Sequence, residues 1–147
     1  MLIIGDGELK EQIESITKEL SITDNVLLPG ERRDVLDIYY VMDIFILSSL
    51  WEGLPYALLE AMSRWIPVIG TDVPGIEDVV ENNKTGLLVK PEDPEELSCA
   101  ILNLINNRSK VKKLGVEGKK YVINNFQLKM QIEKLQDIYI NTLKAKN

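Results

Sequence analysis

The chain has 147 residues, 45% of them hydrophobic, with 17 basic and 23 acidic side chains and a formal charge of −6. This suits one globular domain with a sizeable core, and the acidic balance gives no electrostatic footprint for nucleic acid. Without histidine there is no Ser-His-Asp catalysis or histidine zinc site; the single Cys99 excludes an internal disulfide; no apolar run nears the roughly 20 residues that span a bilayer.

Residues 1–5 (MLIIG) read as a strand, and Leu9, Ile13, Ile16 and Leu20 recur at helical spacing, predicting a helix over 8–20. A second strand at 25–28 is ended by Pro29 and Gly30, a short helix follows over 34–42, and a strand over 44–48. Pro55 suits the first position of a helix reaching about Arg64. Next come a strand at 67–70, a short helix at 76–81, a turn at 82–86 and a strand at 87–89. Pro94 opens a helix with the apolar face Leu97, Ile101, Leu104 and Ile105, and helices over 109–124 and 127–144 complete the chain. Continuous Ile/Leu/Val runs between helices predict an α/β fold: a Rossmann-like, doubly wound parallel sheet with helices on both faces, ending in a long C-terminal helix. Such sheets bind ligands outside the carboxyl ends of their strands, where the strand order switches.

The densest segment is 48–70. The strand ends at Ser48 and Ser49, turns through Gly53 and enters a helix at Pro55. The helix N-terminus at a strand's carboxyl end favours an anion, most naturally a phosphate, and Gly53 lets a ligand approach the backbone closely. Glu52 and Glu60 form an E-x7-E pair. Leu58, Leu59, Ala61, Met62 and Trp65 define the buried stripe, with Glu60 roughly opposite. Spacing alone favours a solvated glutamate at 60; the functional alternative is a carboxylate accepting two ribose hydroxyls.

Glu52-Gly53-Leu54-Pro55, then Leu59-Glu60-Ala61-Met62 and Pro67-Val68-Ile69, resemble the retaining glycosyltransferases of family 4, which have the GT-B fold. Ile3-Ile4-Gly5-Asp6-Gly7, Val26-Leu27-Leu28-Pro29-Gly30, Asp43-Ile44-Phe45-Ile46-Leu47, Thr71-Asp72-Val73, Gly86-Leu87-Leu88-Val89 and Asp93-Pro94 agree in order, so the resemblance covers residues 2–142. It implies a nucleotide-sugar (donor) binding domain over 1–147, the C-terminal half of such an enzyme. The domain's first strand, its basic pair and the acceptor-binding N-terminal domain would then lie upstream of Met1. The implied reaction moves a sugar from a nucleotide diphosphate sugar to a glycan or lipid-linked acceptor, in capsule, lipopolysaccharide or exopolysaccharide synthesis, with little or no activity in this chain alone. The alternative is a nucleotide-sugar binding module that works with a separate N-terminal partner chain.

The resemblance assigns Glu60 to the donor ribose and Glu52 to the catalytic position beside the transferred sugar. Gly53 and Leu54 would offer backbone N–H groups to sugar and diphosphate, Pro55 and Tyr56 adjoin them, and Gly30, Glu31, Arg32 and Arg33 fall where the base packs. It implies no cofactor and no metal. Departures are Ser48 for a common proline, Tyr56 for asparagine, Trp65 at a usual glycine position, and Pro74-Gly75-Ile76-Glu77-Asp78 for Gly-Gly-x-Pro-Glu.

Gly5-Asp6-Gly7 by itself reads as a plain tight turn, and Cys99 as structural. The basic stretch 110–120 (KVKKLGVEGKK) reads as a solvated helix face, with contact to an anionic membrane surface as the alternative. Ile132, Leu135, Ile138, Tyr139 and Leu143 make the last helix amphipathic, suited to a partner domain or to dimerisation. The implied location is cytoplasmic, with peripheral contact at the cytoplasmic membrane face.

Overall fold

The computed structural model describes residues 1–144. The chain forms two compact units, Met1–Ile38 and the part from Tyr39 onward.

The first unit contains β1 (Leu2–Ile4), α1 (Lys10–Glu19), β2 (Leu27–Gly30) and α2 (Val35–Ile38). β1 and β2 are parallel, with Leu2 opposite Leu27 and Ile4 opposite Gly30, so β2 carries one extra residue between those pairs. Pro29, which has no N–H to give a ladder, falls within that irregularity. The second strand therefore lies two residues later than the sequence predicts and includes Pro29 and Gly30, while Thr23–Asn25 form a 3-10 turn.

The predicted helix over 34–42 breaks into α2 and, in the second unit, a 3-10 turn at Tyr39–Val41. That unit continues with β3 (Phe45–Leu47), α3 (Tyr56–Ser63), β4 (Val68–Thr71), β5 (Leu87–Val89), α4 (Pro94–Ile105), α5 (Arg108–Asn125) and α6 (Leu128–Lys144). β3, β4 and β5 pair in sequence order, all parallel, with Ile46, Ile69 and Leu87 in one row. Hydrogen bonding thus divides the strands between two parallel sheets, and neither sheet reverses its strand order.

One face of the three-stranded sheet packs Ile69, Leu87 and Val89 against Leu104 of α4 and Leu114 of α5. On the other face Gly70 lies under Leu58 of α3 and Ile76. Helices cover both faces, as the sequence predicts. Residues 74–79 form successive turns rather than the helix predicted over 76–81, with Gly75 just before that stretch at φ +88°. Ile105, expected on the apolar face of α4, is 60% exposed, one step past the buried edge set by Leu97, Ile101 and Leu104. The apolar stripe of α6 is exposed.

α3 ends in a Schellman arrangement. The Trp65 N–H donates to the Met62 carbonyl at 3.1 Å and the Ile66 N–H to the Ala61 carbonyl at 3.2 Å. Trp65 sits in the left-handed region, φ +60°, where a glycine would be unstrained. α5 lies directly on this corner: a Cβ at Gly115 would stand 2.1 Å from the Trp65 carbonyl oxygen. Gly115→Ala should therefore cost roughly 1–3 kcal/mol of stability, because backbone must move. Gly53→Ala, with no protein atom within 4 Å of the new Cβ, should stay within about 0.5 kcal/mol. Urea denaturation of the two variants checks both values.

Candidate functional site

The chain leaves the carboxyl end of β3 at Leu47 and reaches α3 through residues 48–55. Ser49 Oγ donates to Glu52 Oε1 at 2.6 Å, and Thr71 Oγ1, at the end of β4, donates to the Ser49 carbonyl. From the other side Gly75 packs on the loop: its Cβ, if present, would lie 2.4 Å and 2.5 Å from the Glu52 and Gly53 carbonyl oxygens. No other residue fits that approach at φ +88°. The sequence marks Gly75 only as a departure from the family pattern, whereas its packing holds the loop in place.

Glu52 is half-buried. The amides of Gly53 and Leu54 donate no hydrogen bond among the described residues, and both residues are exposed. Glycine at 53 is required neither by a left-handed φ nor by a neighbouring protein atom. Pro55 is buried and caps α3, with Tyr56 as the first helical residue, one position later than the sequence predicts. Around the loop Leu50, Trp51, Leu54 and Tyr56 are 58%, 80%, 42% and 70% exposed. So much apolar surface in one place marks a contact for a ligand or another protein surface. Trp51 is absent from the sequence-based set of site residues.

Glu60, in the second turn of α3, is half-buried rather than freely solvated. Tyr39, only 2% exposed, places its hydroxyl 3.1 Å from Glu60 Oε2 and 3.0 Å from the Ala57 carbonyl. The Arg64 guanidinium lies 5.0 Å from the Tyr39 ring centroid and donates to the Glu60 carbonyl at 3.0 Å. One carboxylate oxygen of Glu60 is thus anchored, while Oε1 accepts no hydrogen bond among the described residues. Burial first, then the negative charge and hydrogen bond of Glu60, push the Tyr39 hydroxyl up to about 12, so it stays protonated near neutral pH. Tyr39 is a functional neighbour that the sequence alone does not reveal, because 21 residues separate it from Glu60.

Gly30, Glu31, Arg32 and Arg33 belong to the first unit, and Glu52 through Glu60 to the second. Gly30 takes φ +77° and accepts the Gly5 N–H at 3.1 Å. Glu31, Arg32 and Arg33 are exposed. Arg32 forks onto Asp34, with Nε 2.7 Å from Oδ1, which holds the Asp34 carboxyl below its ordinary range. Arg33 makes no ion pair among the described residues. Asp6 Oδ1 accepts the Gly7 N–H at 2.9 Å, as a tight turn would.

A depression of about 280 Å³ opens at the carboxyl ends of β3, β4 and β5, bordered by Ser48, Leu50, Thr71, Lys90, Asp93 and Leu97. The sequence marks Asp93 only within the family pattern; in the structure it also caps α4, accepting the Glu96 N–H at 2.8 Å. Among the described residues no three acidic or thiol side chains gather as a metal-ligand set.

The family pattern described as glycosyl transferases group 1 matches residues 1–121. The chain belongs to this family. It is 29% identical over 141 residues to the UDP-Gal:alpha-D-GlcNAc-diphosphoundecaprenol alpha-1,3-galactosyltransferase of Escherichia coli, covering 95% of this chain and 36% of that protein. It is 33% identical over 145 residues to the capsular polysaccharide biosynthesis glycosyltransferase CapM of Staphylococcus aureus, covering 98% and 38%. The crystal structure of Anabaena Alr3699/HepE in complex with UDP superposes with a TM-score of 0.88 at 20% identity, over 95% of this chain and 40% of that one. The α/β architecture is therefore that of the GT-B glycosyltransferases, and the chain spans under two fifths of the length of the two curated relatives.

In this glycosyltransferase chain the Tyr39 hydroxyl has a measurable signature. Its folded value near 12 stands above the ordinary 10, so its contribution to stability is complete below about pH 10 and disappears as pH rises toward 12. Tyr39→Phe should lose that part of the alkaline slope, leaving a flatter stability profile between pH 10 and 12 than wild type. Urea denaturation across that range measures the difference.

Proposed function

We propose that this chain binds the nucleotide diphosphate sugar donor of a retaining glycosyltransferase that builds cell-surface polysaccharide. The observation that carries the reading is Glu60, with one carboxylate oxygen anchored by Tyr39 and the other accepting no hydrogen bond among the described residues, on the helix whose approach loop leaves the Gly53 and Leu54 amides without partners among those residues. A carboxylate held in this way accepts the ribose hydroxyls, and free amides near a helix N-terminus receive the diphosphate. Support also comes from the UDP in the HepE structure and from the sugar-transferring relatives in lipid-linked and capsular synthesis.

In this reading Leu54, Pro55 and Tyr56 border the sugar. The bond from the anomeric carbon to the phosphate oxygen breaks and the bond to the acceptor oxygen forms on the same face. The acceptor hydroxyl proton passes to the departing diphosphate. Glu52, oriented by Ser49, steadies positive charge developing on the sugar ring. No metal and no cofactor enters this scheme, and the reaction is cytoplasmic. Because the chain spans under two fifths of those relatives, acceptor binding and full transfer are assigned to the rest of a longer protein or to a partner chain.

Calorimetric titration with UDP, GDP and ADP tests the donor reading. One nucleotide should bind saturably, with Glu60→Ala weakening it about 10- to 100-fold, the usual worth of a hydrogen bond to a charged group. Glu60→Gln, which keeps one acceptor oxygen, should fall between. Equal affinity in wild type and Glu60→Ala, or no binding at millimolar nucleotide, contradicts the reading.

A further inference from the structure

α5 meets the rest of its unit along Leu114, Gly115 and Gly118, all buried, and turns the opposite side outward. Lys113 and Lys120 stand exposed on that side, and Lys112, Val116, Lys119 and Ile123 follow one another at helical spacing along the adjoining flank, Val116 and Lys119 half-buried and Lys112 and Ile123 exposed. Lys119 lays its ammonium 3.1 Å from the centroid of the Trp65 indole, and Trp65 and Ile123 are 58% and 43% exposed. α5 carries six basic residues and one acid, Glu117, which is paired with Lys120. Out of 17 basic and 23 acidic residues in all, that leaves 11 basic and 22 acidic elsewhere. Outside α5 the chain is strongly acidic on balance.

A solvated helix face would account for the lysines but not for Trp65. A large ring stands exposed at a backbone position with φ +60°, where glycine would be unstrained, and the Lys119 ammonium lies over it. Lysines interleaved with an exposed indole and two aliphatic side chains match the boundary of an anionic bilayer. Ammonium groups there meet lipid phosphates, the indole sits at headgroup level, and Val116 and Ile123 enter the acyl boundary. Nucleic acid would use the charge and the indole but not the aliphatic pair. The acidic remainder, repelled by the same surface, lets only this face approach.

We propose that the α5 face centred on Lys112, Lys119 and Trp65 docks this chain peripherally on an anionic lipid bilayer. The proposal does not depend on the donor reading.

The test uses the chain carrying Trp51→Phe, so that Trp65 is the sole indole, with phosphatidylcholine vesicles lacking or containing a third phosphatidylglycerol. The chain should sediment with the anionic vesicles alone, and Trp65 emission should shift to the blue on binding. Each lysine among Lys112, Lys113 and Lys119 changed to Ala should weaken binding about fivefold, the equivalent of about 1 kcal/mol per lysine near the surface. Lys112→Glu with Lys119→Glu should abolish it, and circular dichroism of these exposed-site variants verifies folding. Failure to bind anionic vesicles overturns the proposal. So does binding with unshifted Trp65 emission, binding unchanged in the double variant, or binding to single-stranded DNA in place of vesicles. None of these outcomes bears on nucleotide affinity, which the Glu60 titration measures separately.

Discussion

Burial of α3 is the constraint on which the second unit depends. Eight residues are too few to hold a helix in water by themselves, so Tyr56–Ser63 stays helical only because its neighbours bury it. Leu58, Ala61 and Met62 are removed completely from solvent and Leu59 nearly so. Each large side chain there contributes about 1.5–3 kcal/mol, which is lost if the helix turns or shifts. Fixing that face fixes the rest: Pro55 sets where the loop from β3 arrives, Glu60 comes out beside Tyr39, and the Trp65 corner becomes the seat of α5.

The two glutamates of the E-x7-E pair are held by different means. Glu52 belongs to a loop clamped by contacts from two neighbouring segments, Thr71 through Ser49 on one side and Gly75 on the other. Glu60 rides on a helix and is aligned by one hydroxyl from a residue buried beneath it. The shared effect is that both carboxylates are held in one orientation, and the Gly53 and Leu54 amides next to Glu52 donate no hydrogen bond among the described residues.

Much of this is legible in the residues. Leu87, Leu88 and Val89 form a short apolar run between turn signals, Pro94 announces the start of α4, and the apolar spacing of Ile132, Leu135, Ile138 and Leu143 announces α6. Local pattern fails where a single backbone angle or a distant partner decides. Pro29 and Gly30 read as a stop, yet a bulge lets the strand carry both. Residues 76–81 read as a short helix, yet the chain runs through turns over 74–79, and Gly75 there takes φ +88° against the Glu52 loop. Leu58, Leu59, Ala61 and Met62 form the buried stripe of α3 as the sequence predicts, but Trp65, expected in it, is 58% exposed, because it lies past the helix end in a left-handed cap. The anchoring of Glu60 was not, since spacing makes it a solvated residue and only the Tyr39 contact makes it a constrained one.

The central claim is that Glu60 and the open amides of the preceding loop form the nucleotide-binding end of this domain. Amide NMR mapping of the isotopically labelled chain during addition of UDP addresses it most directly. The account predicts that Gly53, Leu54 and the residues flanking Glu60 move first and most, saturating with a single affinity. Shifts confined to α5 and α6, with Gly53, Leu54 and Glu60 unmoved at saturation, would contradict it.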